Sequence, residues 1–206
     1  MRVPATRTME NALRRAGFCA VGGADEVGRG CLAGPVVAAA VVLHPDRRIA
    51  GLADSKAVPR AERERLFDCI VQQSVAWGIA WADPLEIDRI NIHQASLKAM
   101  QRSILSLTPL PDVVLVDAFR VPGLPMAQRG IPHGDRRCAA IAAASIIAKV
   151  WRDSHMRDLH DRDPRYGFDR HKGYATADHL AAVARFGYSA MHRRSFRPPT
   201  LFDTMD

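Results

Sequence analysis

The succession of strand-like and helix-like segments predicts an α/β fold on a mixed sheet. Three observations carry that expectation. Period-two and helical patterns interleave along the chain instead of separating into blocks. Gly34–Leu43 is rich in Val and Ala and carries no charge, the pattern of a strand buried on both faces. The glycines between Glu26 and Gly34 mark a hairpin, which makes the first three strands an antiparallel meander.

Taken in order, residues 1–17 read as an extension with a short helix near Met9–Arg15, poorly ordered or lightly docked. Phe18–Glu26 is the first strand and Gly34–Leu43 the second. Pro59 suits the first turn of a helix reaching Gln73, with Leu66, Phe67 and Ile70 on one face. Val75–Ala82 is the third strand. Asn91, three residues before Gln94, resembles a capping box for a helix through Leu107. Asp112–Asp117 is a short apolar strand closed by an acid, and Leu124–Gly130 is one more strand. Cys138–Asp161 is the longest helix, its first half mostly Ala and Ile, small enough to lie close to a sheet. Pro164–Gly173 reads as loop. Thr176 caps a helix that runs to Phe186 and stops at Gly187.

The chain has 206 residues, 48% hydrophobic and 25% charged, enough for one domain with a real core. The net charge of +7 is uneven: residues 162–197 hold eight Lys and Arg against three Asp. A polyanionic partner fits that distribution. Four cysteines, Cys19, Cys31, Cys69 and Cys138, show no zinc or redox spacing and read as reduced thiols in apolar surroundings. No secretory signal and no apolar run of membrane-spanning length is visible, so the expectation is a cytoplasmic protein without a membrane partner.

The chemistry gathers where acids close apolar strands. Asp25 and Glu26 end the first strand, and Asp117 ends DVVLVD. Asp135, in HGDRRC, stands before the long helix and also suits an ordinary N-cap. As a set the four offer only oxygen donors, which hard cations such as Mg2+ or Mn2+ prefer. From the residues alone, solvated turns remain an equal alternative. Neighbours on a regular strand point to opposite faces. Asp25 and Glu26 therefore share a site only if the chain near Glu26 is irregular or a carbonyl takes part. Gly28, Arg29 and Gly30 can cradle a phosphate or simply turn the chain. Lys56 is a phosphate contact or a loop lysine. Lys172 and Tyr174, within Arg165–Tyr174, and Arg193 and Arg194, within His192–Arg197, interleave bases with aromatics, a pattern that suits nucleic acid.

These segments together resemble bacterial type 2 ribonuclease H (ribonuclease HII). The resemblance rests on DEVGRG at 25–30, GPVVAAAV from Gly34, DSK at 54–56, VDAF at 116–119 and GD at 134–135. It continues through AAASIIAKVWRD at 142–153, YGFDRHKGY at 166–174 and HRRSF at 192–196. It implies a ribonuclease H-like mixed sheet of about five strands flanked by helices, with a C-terminal helical segment. It implies a single catalytic domain over 18–198, whose basic part at 162–198 binds substrate, and a tail at 199–206. The implied activity is endonucleolytic cleavage of RNA in RNA–DNA hybrids and nicking at ribonucleotides embedded in duplex DNA, leaving 5′-phosphate and 3′-hydroxyl ends.

Asp25, Glu26, Asp117 and Asp135 would be the catalytic metal ligands for Mn2+ or Mg2+. Gly28, Arg29 and Gly30 would contact the 2′-hydroxyl and flanking phosphates, and Tyr174 would stack on the next sugar. Lys56, Lys172, Arg193 and Arg194 would touch substrate. A monomer is implied. Leu201 and Phe202 in the tail read as a sliding-clamp peptide or as a tail docked on its own domain. Two residues depart from the family pattern: His133 stands where Lys is frequent, and Cys31 where Pro or Ala is frequent. Type 3 ribonuclease H is the rival reading; the 24 residues before Asp25 are few for its extra domain.

Overall fold

The computed structural model describes residues 4–196. Strands β1 (Val21–Val27), β2 (Val36–Leu43) and β3 (Ser74–Ala82) form the expected antiparallel meander. β4 (Val113–Asp117) runs parallel to β1, and β5 (Ala127–Ile131) parallel to β4. The sheet order is β3-β2-β1-β4-β5, with β1 at the centre.

The burial of β2 on both faces follows from its charge-free sequence. Val37, Ala39, Val41 and Leu43 meet α2 (Arg60–Gln73) and α6 (Ala139–Arg162). Ala38, Ala40 and Val42 meet α4 (Ile92–Leu105) on the opposite face. Each buried Val contributes about 1.5–3 kcal/mol relative to an exposed one. The Ala-rich half of α6 lies directly on β1. A Cβ at Gly23 would stand 2.2 Å from the Ala140 carbonyl carbon, so only glycine admits this approach.

Several boundaries differ from the sequence reading. β1 starts at Val21, not Phe18, because its partner β4 starts only at Val113. Cys19 consequently lies exposed, whereas Cys31 and Cys138 are buried; all four cysteines are free thiols. A helix absent from the sequence reading, α3 (Pro84–Ile90), begins where Asp83 Oδ1 accepts the Glu86 amide at 2.8 Å. Asn91 caps α4 as expected, accepting the Gln94 amide at 3.0 Å. The loop at 164–173 contains a 3-10 turn, Pro164–Tyr166, and the single-turn α7 (Phe168–His171). α5 (Gly134–Arg137) is another single turn, and α8 (Ala177–Phe186) follows its Thr176 cap.

The N-terminal segment is not lightly docked. α1 (Thr8–Arg15) lays Met9 and Leu13 on the core and buries Glu10, whose Oε1 accepts the Ala140 amide at 2.8 Å. Glu10 thus supplies the acceptor that the first turn of α6 lacks in its own sequence.

Candidate active site

The β1–β4 ladder stops at Ala24 and Val116. The next residue on each strand is an acid, Asp25 and Asp117. The chain leaves these strands toward opposite halves of the sheet, which opens a crevice at their carboxyl ends. A cavity of about 210 Å3 occupies that position. Asp25, Glu26, Asp117 and Asp135 all line it. Gly28, Arg29, Gly30, Lys56 and Tyr174 line it as well, with Ser55 and Ser145.

The expected irregularity at Glu26 is absent from the β2 side, where the register runs unbroken to Val27 and Val37. The strand stays regular there, and the β4 side of β1 is open because the β1–β4 pairing has already ended at Ala24. There the Glu26 amide donates to Asp25 Oδ1 at 2.7 Å. Both carboxylates therefore reach one cavity from adjacent positions of a continuous strand. Asp117 Oδ1 accepts the Gly134 amide at 2.7 Å, which ties the turn carrying Asp135 to the end of β4.

Burial holds the Asp25 carboxyl well above its ordinary range. The charges of Glu26 and Asp117 push it the same way, while hydrogen bonds from Ser145 and the Glu26 amide oppose the shift. Glu26 is raised first by burial; Arg29 opposes and Asp117 adds. Asp135 is raised by burial and then by Asp54 and Asp117. Such a concentration of buried negative charge is what a divalent cation would neutralise. Glu26 Oε2 is buried without a hydrogen-bond partner, as a ligand oxygen would be. Among the described residues, no three His, Cys, Asp or Glu side chains close into a ready-made metal cage. The four acids share one cavity, and the fit rests on their oxygen-only chemistry and on the orphaned Glu26 oxygen.

The glycine-flanked loop is held from below by two arginines that the surface reading of the sequence does not anticipate. Arg193 is fully buried. It donates to the carbonyls of Gly28 at 2.6 Å, Arg29 at 2.9 Å and Gly34 at 3.0 Å. The expectation that Arg193 touches substrate is thereby corrected, because its guanidinium is spent on backbone. Arg152, also fully buried, donates to Pro35, Ala33 and Lys172 carbonyls at 2.9, 3.1 and 2.9 Å. Gly28 sits at φ +91°, and a Cβ there would stand 2.3 Å from Arg152 Nε, so the loop and the strut fit only with glycine. Arg29 points into the cavity, 3.4 Å from Glu26 Oε1 and 4.9 Å from the Phe119 ring centre.

The other sequence candidates separate by exposure. Lys56 and Arg194 are exposed and Tyr174 is 40% exposed, all accessible to a ligand. Lys172 is half-buried, with its ammonium turned to the Asp169 carbonyl. Sequence reasoning missed Asp54, Ser55 and Ser145. Asp54 pairs with Arg136 at 3.2 Å, and Ser55 Oγ lies 2.9 Å from Ser145 Oγ beneath Asp25. Their signal was available in DSK and in the serine that interrupts AAASIIA, but no spacing joins them.

Three buried histidines brace the Tyr174 segment, and their tautomers follow from their partners. Nδ1 of His179 donates to the Tyr174 carbonyl at 2.9 Å, leaving Nε2 to accept from His192 Nε2 at 3.0 Å. His192 Nδ1 accepts the Ser189 amide at 3.0 Å. His171 stacks on His179 at 4.3 Å, donates to Tyr166 O and accepts the Gly173 amide. All three rings are neutral in this arrangement. Burial pushes both His179 and His192 down to about 4. A lowered folded value means the unfolded chain binds protons first, so their stabilisation is full above about 6.5 and is lost as pH falls toward 4. Thermal melts should therefore show a steep loss of Tm between pH 6.5 and 4. A His192→Gln variant, unable to take up that proton, should flatten the slope, and an unchanged slope would contradict the neutral relay.

A family model for ribonuclease HII matches residues 22–198. The chain belongs to the ribonuclease HII family. It is 54% identical over 176 residues to ribonuclease HII 1 of Methylibium petroleiphilum, covering 85% of this chain and 89% of the relative. Against ribonuclease HII of Vibrio cholerae the identity is 48%, covering 89% of both chains. The fold also superposes on the ribonuclease H2 of Pyrococcus horikoshii OT3, with TM-score 0.73 and 23% identity over 86% of this chain and 94% of the other. A ribonuclease HII solved in complex with PCNA from Archaeoglobus fulgidus gives TM-score 0.71 and 24% identity over 87% and 96%. Membership of ribonuclease HII, not type 3, settles the class as endoribonuclease of the ribonuclease H kind. No helix among the described residues is long and apolar enough to cross a membrane.

Proposed function

We propose that this chain hydrolyses the RNA strand of RNA–DNA hybrids and nicks duplex DNA at embedded ribonucleotides, leaving 5′-phosphate and 3′-hydroxyl ends. The observation that carries the reading is the meeting of Asp25, Glu26, Asp117 and Asp135 in one cavity with Gly28–Gly30 and Tyr174, in a ribonuclease HII chain. The family is divalent-metal dependent, and the four carboxylates would hold Mn2+ or Mg2+; their oxygen donors suit both. When bound, such a cation supplies charge stabilisation at the phosphorus and lowers the pKa of water.

The remaining work belongs to the chain. Asp117, anchored by the Gly134 amide, lines the cavity. Arg29 and the backbone of Gly28–Gly30 are placed to meet the ribose 2′-hydroxyl and adjacent phosphate, the group that separates RNA from DNA. Tyr174 offers a ring for stacking, with Lys56 and Arg194 as outer phosphate contacts. A cytoplasmic location is proposed with this substrate class. The proposed clamp peptide at Leu201 and Phe202 lies outside the described residues.

The test is a duplex DNA carrying one ribonucleotide, incubated with Mn2+ or Mg2+. Nicking at that position is expected, together with a loss of roughly 10²–10³-fold or more in Asp117→Asn. No nicking by the unmodified chain, or nicking that survives Asp117→Asn, would overturn the assignment.

A further inference from the structure

A second cavity, of about 420 Å3, opens on the far side of Tyr174. Tyr174 lines both cavities. α2, α6 and the α7 turn build the second cavity, and only α7 falls within the basic C-terminal stretch seen in the sequence. Six cationic side chains line it: Arg60, Arg63, Lys149, Arg157, Arg170 and Lys172. Only three acids, Glu64, Asp153 and Asp169, share its walls.

The acids leave the positive charge in excess. Glu64 serves two guanidiniums, Arg60 at 3.0 Å and Arg157 at 3.9 Å. Asp153 serves Lys149 at 2.7 Å and Arg63 at 3.8 Å. Lys149, Asp153 and Arg63 are each only 14% exposed, which makes this a built wall and not a fringe of surface lysines. Arg63 is fixed further by donating to Ser55 O and Val58 O, within the segment that carries Lys56. Burial lowers the Lys172 pKa, Asp153 and Asp169 oppose the shift, and the like charges of Arg157 and Arg60 add to it.

A concave, cationic, half-buried site beside a stacking ring suits one chemistry, a phosphodiester oxyanion of a nucleic-acid backbone. We propose that the cavity bounded by Arg60, Arg63, Lys149, Arg157 and Lys172 seats a backbone phosphate of the duplex arm that leaves the carboxylate site past Tyr174. The proposal rests on the nuclease reading above and deepens it: the chain would require duplex of a minimum length on one side of the ribonucleotide.

The experiment measures equilibrium binding of the unmodified chain and an Arg60→Gln/Arg157→Gln double variant without divalent cation, so its outcome is independent of cleavage. Three DNA duplexes with one ribonucleotide are used: a long form, and two forms shortened to the base pairs next to the ribonucleotide on one side or the other. The double variant should bind the long duplex roughly tenfold more weakly and lose about 0.9 from the slope of log K against log salt for each phosphate contact removed. One of the two shortened duplexes, and not the other, should erase the difference between the proteins. Arg60→Lys/Arg157→Lys should restore most of the affinity. Equal binding by both proteins to the long duplex would overturn the proposal, as would a deficit that persists on both shortened forms. Inorganic phosphate bound more weakly by the double variant, with duplex affinity and salt slope unchanged, would assign the cavity to a free anion and also overturn it. Failure of the unmodified chain to nick in the preceding assay would count against the nuclease reading alone.

Discussion

Asp25→Asn should abolish cleavage and at the same time raise the melting temperature of the metal-free protein at neutral pH. Asp25 is 6% exposed and faces Glu26 and Asp117. Its folded carboxyl is held above the ordinary value, so the folded chain keeps that proton more tightly than the unfolded chain does. Raising the pH above about 3.9 therefore costs folding free energy progressively, and part of that cost is present at neutrality. Asparagine keeps an acceptor for the Glu26 amide and removes the charge. The gain should be roughly 2–4 °C for each kcal/mol of repulsion relieved, and it should vanish below about pH 4. Mn2+ should raise the Tm of the unmodified chain by selective binding to the folded state and leave Asp25→Asn nearly unmoved. Cleavage should fall by roughly 10³-fold or more. A variant that melts lower than the parent in metal-free buffer at pH 7, or responds equally to Mn2+, would show that Asp25 is not part of a repelling metal-ligand set.

That opposition of stability and function marks how much of the site the sequence displays. Asp25 and Asp117 are legible because each ends an apolar run, where a carboxylate is out of place unless it is used. The β1–β4 fork that brings them together is also legible in outline, since DVVLVD is short, apolar and suited to a central parallel strand. Glu26 shows the boundary of such reasoning. Strand alternation sends it to the opposite face, and the structure returns it to the same cavity because β4 ends at Asp117 and leaves that side of β1 open. A strand's period is local, whereas the end of its neighbour is not. Glu10 is a second case. Its acceptor role at the first turn of α6 spans 130 residues, and nothing in TMENALRR announces it. Asp83–Pro84 is different: an Asp cap followed by Pro is a helix start in plain sight, directly after the third strand.

The basic tail carries the largest reversal, and it leads to the second strong expectation. His192-Arg193-Arg194 reads as two adjacent cations for one polyanion. The structure divides them: Arg194 is exposed, and Arg193 lies fully buried under the glycine-flanked loop. Burial lowers the Arg193 pKa to about 10, which leaves it charged at neutral pH. Its three backbone carbonyl partners each lose a charge-assisted hydrogen bond if it is removed, at about 1–3 kcal/mol apiece. Arg193→Ala should therefore cost several kcal/mol and fold poorly. Arg193→Lys is the sharper probe, since an ammonium keeps the charge but cannot span Gly28, Arg29 and Gly34 with a planar fork. The lysine variant should melt well below the parent and lose kcat/KM on the ribonucleotide duplex as the loop slackens, while the salt slope of duplex binding stays at the parent value. A direct phosphate contact would give the reverse, an unchanged Tm and a slope that drops by about 0.9 only when the charge is removed. Arg194→Gln supplies the internal comparison: exposed at the same tail, it should leave Tm nearly unchanged and reduce the salt slope. If instead Arg193→Lys is as stable as the parent, the strut is not what holds the loop, and the surface reading of the tail regains its ground.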